Sequence, residues 1–307
     1  MTTAPNVAGI RGKLLSREPM SRHTSWRVGG PTDHFFVPAD LEDLSLFLKN
    51  LPTEEPIYWL GLGSNLLVRD GGLRGTVIAT SGALSDLRRS GEMEVRAEAG
   101  VAAAKVARFT VEHGLTGAQF LCGIPGTMGG ALAMNAGAFG GETWDIIDAV
   151  ETIDRQGQMR MRTRADFTTG YRRVEGPQGE WFVAARLQLQ KGDIADGKAR
   201  IRSLLARRGQ TQPTQMPNAG SIFKNPPGDY SARLIEKSGL KGVCEGDACV
   251  SDMHANFIVN RGNATAADIE RLIARVRDQV ERSQGVKLEL EVRIVGERRA
   301  KDEQSGS

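Results

Sequence analysis

The sequence is poor in cysteine and histidine, the residue types that most often build metal sites. Its three cysteines, Cys122, Cys244 and Cys249, form an odd set without the spacing of metal ligands. No charged-then-apolar leader is visible at the start of the chain. We therefore expect a protein of the reducing cytoplasm that holds no metal ion. The histidines are scattered singly along the chain, as His23, His34, His113 and His254.

The chain also lacks a strong net charge and a long apolar run. Its 40 basic and 37 acidic side chains leave a formal net charge of +3, which creates no field that would select nucleic acid. No apolar run approaches the roughly 20 residues needed to cross a bilayer. With 307 residues, 40% of them hydrophobic, the chain can bury a large core and form two or three lobes.

The first third of the chain predicts a small α/β lobe. Strand-like runs alternate there with a helix whose buried face carries Leu41, Leu44 and Leu48. A further strand and a second helix follow by the same patterns. The predicted strands span residues 35–37, 57–60, 76–79 and 93–99, and the second helix spans residues 101–113.

The C-terminal end carries the clearest pattern. An apolar face from Ile269 to Val280 predicts a helix, and Thr265 and Asp268 have the spacing of a capping box. After this helix, apolar and polar residues alternate over 286–294, which predicts one strand with a polar face. Between the two ends we predict short strands over 148–190, a helix at 202–208, a loop over 210–227 and a domain boundary at 192–197.

Two glycine-rich segments could hold a ligand. Gly61-Leu-Gly-Ser-Asn65 follows a strand, and its small residues let backbone amides converge on an anion such as a diphosphate. A Rossmann fingerprint needs a third glycine that opens a helix, whereas residues 66–68 continue as a strand, so that fold is disfavoured. The alternative to a ligand-binding role for residues 61–65 is a tight structural turn. The second segment, Gly123 to Gly141, has seven glycines in nineteen residues, and its backbone must pass close to a neighbouring strand or a flat ligand.

A third segment, Gly192 to Lys198, has the spacing of a nucleotide-binding P-loop. Ala199 stands where that motif needs a hydroxyl for Mg²⁺, and Asp193 and Asp196 would place negative charge beside the phosphates. A rival hypothesis is that the chain is a nucleotide-binding module that uses this loop. This hypothesis predicts a colourless protein that binds ATP.

Six motifs follow one another between Ser21 and Gly296. They are Thr24-Ser-Trp-Arg-Val-Gly-Gly-Pro31, Gly61-Leu-Gly-Ser-Asn-Leu-Leu67, Gly123-Ile-Pro-Gly-Thr-Met-Gly-Gly130, Asn135-Ala-Gly-Ala138, Gly220-Ser-Ile-Phe-Lys-Asn-Pro226 and Leu288-Glu-Leu-Glu-Val-Arg293. In type and order they resemble the UDP-N-acetylenolpyruvoylglucosamine reductase family, also called UDP-N-acetylmuramate dehydrogenases. The chain resembles the shorter form of the family, since residues 172–221 leave no room for an inserted tyrosine loop.

The resemblance implies an α+β fold. It consists of a two-lobed FAD-binding domain of the vanillyl-alcohol-oxidase type and a C-terminal α+β substrate-binding domain. We expect the FAD-binding domain at residues 21–192, with lobes at about 21–81 and 82–192, and the substrate-binding domain at residues 193–298. Residues 1–20 and 299–307 are expected to be mobile ends.

The resemblance also implies roles for individual residues. Hydride transfer to the enolpyruvyl group leaves the enolate of a carboxylate, and Arg172 is the implied fixed cation beside it, next to Tyr171. Glu291 is its implied helper as a hydrogen-bonding carboxyl group, with Glu289 as the competitor two residues away. Ser221 is the implied general acid that protonates the neighbouring carbon.

The ligands implied are FAD, bound non-covalently, NADPH as co-substrate and UDP-N-acetylglucosamine enolpyruvate as substrate. We expect no nucleic-acid or membrane partner, and a monomer. A flavin-dependent oxidase remains a rival, with Cys122 or His113 as a place for covalent flavin. The implied substrate contacts are Tyr171, Lys224 and Asn225, and the implied FAD contacts are Gly61, Leu62, Gly63, Ser64, Asn65, Gly123, Ile124, Pro125, Gly126, Thr127, Gly129 and Gly130.

Overall fold

Two compact units make up the chain, and each is assembled from separate stretches of sequence. The computed structural model describes residues 8–299. The first unit joins residues up to 16 with 34–62 and 75–207, and the second joins 17–33 and 63–74 with the chain from 208 onward. The domain boundaries expected from the sequence, near residues 21, 82 and 193, stay a prediction.

Both units combine helices with short strands. The helices are α1 (Leu41–Asn50), α2 (Ala103–Glu112), α3 (Met128–Met134), α4 (Ile194–Thr211), α5 (Ser231–Lys237) and α6 (Ala266–Gln284). Short 3-10 turns lie at Met20–Arg22, Gln119–Gly123, Thr143–Ile146 and Arg164–Asp166. Within residues 8–299, no helix has the length and hydrophobicity that crossing a membrane requires.

Most strands are short. They are β1 (Lys13–Pro19), β2 (Pro31–Val37), β3 (Ile57–Leu60), β4 (Leu66–Val68), β5 (Leu73–Ala79), β6 (Leu87–Arg89), β7 (Glu94–Glu98), β8 (Leu115–Thr116), β9 (Gly137–Ala138), β10 (Gly141–Glu142), β11 (Ile147–Asp154), β12 (Met159–Thr163), β13 (Thr168–Gly170), β14 (Arg173–Glu175), β15 (Glu180–Gln188), β16 (Gln190–Lys191), β17 (Cys244–Glu245), β18 (Ala248–Val250), β19 (Ile258–Asn260) and β20 (Arg293–Val295).

The first unit holds a five-stranded antiparallel sheet in the order β12-β11-β15-β7-β6. Helices α2 and α3 contribute buried residues to the core on this sheet, which also includes the fully buried Trp144. A second sheet has the order β1-β2-β5-β3, and its core includes the stacked rings of Phe36 and Phe47, whose centroids are 3.9 Å apart. The strands and helices predicted before residue 113 are confirmed.

The second unit is built on the long amphipathic helix α6, as predicted. Thr265 and Asp268 form the expected capping box, with the amide of Asp268 donating to Thr265 Oγ1 at 3.1 Å. Gly285 ends the helix with φ +68°, a left-handed conformation that glycine adopts without strain. The buried face of α6 packs with the three-stranded sheet β17-β18-β19, and β20 pairs in parallel with β4.

Two sequence predictions about elements are wrong in part. The helix predicted at 202–208 extends from Ile194 to Thr211, because Asp193 caps its first turn and Gly197 packs against Val111. The strand predicted over 286–294 forms only at Arg293–Val295. Buried Leu288 and Val292 keep the predicted alternation, but hydrogen bonding at 291 and 292 breaks the ladder.

The ends and the cysteines also differ from expectation. Strand β1 lies inside the stretch 1–20 that was expected to be mobile. Its residues are ordered there because they pair with β2. Residues 1–7 and 300–307 lie outside the described residues. A disulfide joins Cys244 to Cys249, which the sequence analysis did not predict. The hairpin places the two cysteines directly opposite each other, with their Cα atoms 4.1 Å apart.

Candidate active site

Arg172 lies at the tip of a hairpin in the first unit. Strands β13 and β14 pair Gly170 with Arg173, so Tyr171 and Arg172 form the two-residue turn. Arg172 has φ +54°, a conformation that strains residues other than glycine, and such strain concentrates at functional sites. Its guanidinium carbon lies 5.1 Å from the centre of the Tyr171 ring, within range of a cation–π interaction.

The guanidinium of Arg172 is half-buried and is held by backbone carbonyl groups. It donates to the carbonyl oxygens of Asn135 at 3.4 Å and Gly137 at 3.3 Å. Arg173, its neighbour, is exposed and pairs with Glu175 at 2.7 Å. The structure therefore separates the two adjacent arginines, and only Arg172 points its charge into a defined cradle.

Asn135 is a residue of this cradle to which the sequence analysis assigned no role. It is 2% exposed and has φ +42° at the end of α3. Its side-chain amide donates to Glu142 Oε2 at 2.8 Å and to the carbonyl of Gly170 at 3.1 Å, and its Oδ1 accepts from the amide of Trp144 at 3.1 Å. An asparagine inside a glycine-rich loop was the available signal, since asparagine tolerates the left-handed conformation better than most residues.

Ser221 and Glu291 lie on two neighbouring backbone segments of the second unit. The carbonyl of Ile222, one residue after Ser221, accepts from the amide of Glu291 at 2.8 Å and from that of Val292 at 3.3 Å. Two consecutive amides on one carbonyl form the pattern of a β-bulge, which commonly redirects a side chain. Asn65 braces the same place, because its Nδ2 donates to the carbonyl of Glu291 at 3.1 Å.

The two glutamates of this segment have different surroundings. The Glu289 side chain is 79% exposed, and its carboxylate lies 3.7 Å from Lys224 Nζ. Glu291 is half-buried at the bulge. Glu291 is therefore less exposed than Glu289, whose carboxylate is a surface partner for Lys224, and the choice between them as the catalytic carboxyl group stays a prediction.

Asn225 has a structural task in this unit. Its Oδ1 accepts from the amide of Ser231 at 3.1 Å and so caps the first turn of α5. Lys224 donates its backbone amide to the carbonyl of Glu289 at 2.9 Å, and its side chain is one-third exposed. The substrate contacts predicted for Tyr171, Lys224 and Asn225 stay predictions.

The glycine loop at 61–65 is tightly turned at Gly63. That residue has φ +61°, and a Cβ there would lie 2.2 Å from the carbonyl oxygen of His23. The alternative of a structural turn therefore holds at Gly63. In the first unit, a Cβ on Gly61 would lie 2.4 Å from Thr127 Oγ1, so this glycine allows the close approach of two candidate cofactor segments.

Known proteins resemble this chain over nearly its whole length. Residues 32–161 match the family model of an FAD binding domain, and residues 212–295 match that of the UDP-N-acetylenolpyruvoylglucosamine reductase C-terminal domain. The chain is 58% identical over 299 residues to the UDP-N-acetylenolpyruvoylglucosamine reductase of Methylococcus capsulatus, covering 97% of this chain and 98% of that one. It belongs to the UDP-N-acetylenolpyruvoylglucosamine reductase family.

Other members of the reductase family are also similar to this chain over most of its length. The enzyme of the same name from Alkalilimnicola ehrlichii is 59% identical over 286 residues, covering 93% of this chain and 96% of that one. The crystal structure of the Thermus caldophilus reductase is 33% identical with a TM-score of 0.80, and covers 93% of this chain and 99% of that one. The predicted α+β fold with an FAD-binding domain is thereby confirmed, and the chain is an FAD-dependent oxidoreductase.

The residues of this reductase-family chain fit FAD at Thr127. Its hydroxyl oxygen is buried and makes no hydrogen bond within residues 8–299, which is costly unless a ligand supplies a partner. A Cβ on Gly130 would meet nothing within 4 Å, so the backbone there is open to a flat molecule. Gly123 and Gly129 instead pack closely on Phe139 and Ala99, so the close-packing interpretation holds at these two glycines, and the flat-ligand interpretation stays a prediction.

One of the two places for a covalent flavin, Cys122, and the P-loop candidate are built into packed structure. Cys122 is 1% exposed in the core, and His113 Nδ1 is hydrogen-bonded to the carbonyl of Phe109 at 2.8 Å. The P-loop candidate at 192–198 is largely the first turn of α4, with Gly197 packed against Val111. Among the described residues, no group of three or more histidine, cysteine or acidic side chains could hold a metal ion.

His254 is one of the histidines that stand singly in the sequence. Its ring packs edge-on against Phe257, with centroids 4.7 Å apart. Burial lowers the pKa of His254, and nearby Lys241 lowers it further. A neutral imidazole at pH 7 suits packing or hydrogen bonding better than charge stabilisation.

Proposed function

We propose that this chain catalyses the NADPH-dependent reduction of UDP-N-acetylglucosamine enolpyruvate to UDP-N-acetylmuramate. This reaction supplies peptidoglycan precursor synthesis, and we place it in the cytoplasm with the chain acting as a monomer. The observation that supports the proposal most is the hydrogen bond from the amide of Glu291, the carboxyl candidate, to the carbonyl of Ile222, the residue that follows the acid candidate Ser221. The names of the relatives support the substrate.

Arg172 stabilises the developing negative charge in this proposal. FAD, which Thr127 and the glycine-rich segments would hold, would supply the redox chemistry, accepting hydride from NADPH and giving it to the terminal carbon of the enolpyruvyl group. The electron pair then moves onto the substrate carboxylate, whose charge rises. A guanidinium is always charged and is held here by two carbonyl groups, so it is oriented before the charge develops.

Ser221 then delivers the proton. Its O–H bond breaks as a C–H bond forms at the carbon next to the carboxylate, and the serine recovers a proton from solvent. A hydroxyl group is a weak acid, so this step depends on close positioning against a strongly basic carbon. The Glu291 carboxyl group shares a hydrogen bond with the enolate and supports the same charge as Arg172.

The test is a pair of arginine variants followed by anaerobic stopped-flow spectroscopy. Arg172→Ala should keep its flavin but lose at least about 100-fold in turnover, the order of magnitude expected for a lost oxyanion contact. Arg173→Ala, which removes an exposed charge paired with Glu175, serves as the matched control and should turn over normally. A normal rate in Arg172→Ala would refute the assignment.

The visible spectrum tests the reaction itself. NADPH should bleach the flavin band of the purified protein, and the enolpyruvyl substrate should restore it without oxygen. Restoration by oxygen alone would instead indicate an oxidase. Ser221→Ala should slow the restoring step and leave bleaching by NADPH intact.

A further inference from the structure

The side chain of Asn256 occupies the place of a neighbouring strand beside the segment that carries Ser221. Its Nδ2 donates to the carbonyl of Phe223 at 2.8 Å, and its Oδ1 accepts from the amide of the same residue at 3.0 Å. The backbone carbonyl of Asn256 also accepts from the amide of Ile222 at 3.0 Å. One residue thus holds two consecutive residues by three hydrogen bonds.

The opposite edge of this segment faces the strand-like stretch that carries Glu291. Lys224 donates its amide to the carbonyl of Glu289 at 2.9 Å, and Phe223 pairs with Leu290 in a single antiparallel bridge. Residues 222–224 therefore lie between Asn256 on one side and residues 289–292 on the other. The position of this middle segment sets the spacing of Ser221 from Glu291.

The segment has a pivot immediately before Ser221. Gly220 has φ +73°, and a Cβ on it would meet nothing within 4 Å, so packing does not restrain the chain there. Its amide is held by Asn218 Oδ1 at 3.0 Å. Restraint after the pivot comes from the Asn256 amide, which is 3% exposed and therefore competes little with water.

We propose that Asn256 is a positioning residue for proton delivery by Ser221. Its amide fixes the peptide group at Phe223, and through it the direction in which Ser221 presents its hydroxyl group relative to Glu291. The inference rests on the proposed function, since it assumes that Ser221 is the acid. A displacement of about 1 Å at a reacting group can cost on the order of 100-fold in rate.

The matched control is Asn260, a second buried asparagine in the same region. It is 4% exposed, donates to the carbonyl of Trp26 at 2.9 Å, and accepts from the amides of Gly262 and Ala264. Its side chain makes as many hydrogen bonds as Asn256 does in total, but none to residues 220–224. Asn260→Ala should therefore lower stability without selecting one half-reaction.

The experiment measures both half-reactions anaerobically on flavin-bound protein. In Asn256→Ala, the enolpyruvyl substrate should re-oxidise reduced flavin roughly 100-fold more slowly, while reduction by NADPH stays within about twofold of wild type. Asn260→Ala should shift the two rates by the same factor. Equal slowing of both half-reactions in Asn256→Ala would overturn the proposal.

A double variant separates this inference from the function beneath it. In Ser221→Ala protein, adding Asn256→Ala should cause no further loss beyond about twofold, because the two residues act on one step. A full additional loss would show that Asn256 acts elsewhere. If Ser221→Ala alone re-oxidises at the wild-type rate, the proposed acid is wrong, whatever Asn256 does. Asn256→Asp, which keeps the size and the acceptor for the Phe223 amide, provides the same readout if the alanine variant does not fold.

Discussion

Arg172 and Asn135 are tied to each other from both directions. The Arg172 guanidinium donates to the carbonyl of Asn135, and the Asn135 side chain donates to the carbonyl of Gly170, two residues before Arg172. Two hydrogen bonds thereby join the hairpin tip to Asn135, and each runs from a side chain to a backbone carbonyl group. Asn135, a neutral residue, thus helps to hold the Arg172 guanidinium in position and needs no contact with substrate to do so.

Asn135→Gly should remove the side-chain hydrogen bonds that support the hairpin tip while the charge of Arg172 stays in the protein. Glycine adopts the left-handed conformation of this position freely, so the backbone can persist while the side-chain hydrogen bonds are lost. We expect a loss of about 2 to 3 kcal/mol in the free energy of unfolding, at about 1 kcal/mol for each of the three side-chain bonds, together with slower re-oxidation of flavin by substrate. Urea titration and stopped-flow spectroscopy measure the two effects. Unchanged re-oxidation would show that Arg172 holds its position unaided.

The two glutamates near Ser221 should differ sharply. Glu291→Gln should slow re-oxidation of reduced flavin by about 100-fold or more, because a carboxyl group that supports the enolate is lost. Glu289→Gln should stay near the wild-type rate, since this exposed side chain pairs only with Lys224 in the described residues. The reverse order of effects would assign the role to Glu289.

The sequence predicted elements whose signal is local. The helix from Ala266 was specified by its apolar face and capping box, and Arg172 and Ser221 were named through motif resemblance. The break near Glu291 could not be foreseen, because it depends on two amides meeting the carbonyl of Ile222, about 70 residues away in sequence. Asn135 and Asn256 were missed for the same reason: their partners are known only once the chain has folded.

Thr127→Val should act in opposite directions with and without flavin. Valine removes a buried hydroxyl group that has no partner in the described residues, so the apoprotein should gain about 1 kcal/mol in free energy of unfolding. FAD affinity should fall by about tenfold if that hydroxyl binds the cofactor. Thermal unfolding of apoprotein and flavin fluorescence titration measure these quantities.

Thr110→Val provides the control for that substitution. The Thr110 hydroxyl is also buried, but it donates to the carbonyl of Ala107 at 3.0 Å inside α2. Its loss should lower apoprotein stability and leave FAD affinity unchanged. The same flavin affinity in Thr127→Val as in wild type would remove Thr127 from the cofactor site.

The buried pair of Arg96 and Glu151 should make stability depend on acid pH. Arg96 donates to both carboxylate oxygens of Glu151, at 2.9 and 2.6 Å, and these bonds hold the pKa of Glu151 below its ordinary value of 4.5. A lowered pKa means that the stabilisation is present above pH 4.5 and is lost as pH falls through the folded-state value.

Glu151→Gln tests this dependence. The variant should lose about 2 to 4 kcal/mol near pH 7, because Arg96 and Arg186 keep their charges without the carboxylate. Its free energy of unfolding should then change less than that of wild type as pH falls below 4.5. Urea titrations at several acid pH values measure the free energy of unfolding of wild type and variant. If both free energies changed equally with pH, another carboxylate would control stability at acid pH.

The discontinuous second unit has a consequence for biosynthesis on the ribosome. Trp26 donates its indole N–H to the carbonyl of Ile258 at 2.8 Å, and β4 pairs with β20 more than two hundred residues later. The early segments 17–33 and 63–74 therefore wait, without their final partners, until almost the whole chain has been synthesised. Pairing across such separations is slow to form and leaves an apolar residue such as Trp26 exposed in the meantime. A nascent chain of this protein would need strand β19 before its first buried tryptophan could donate this hydrogen bond.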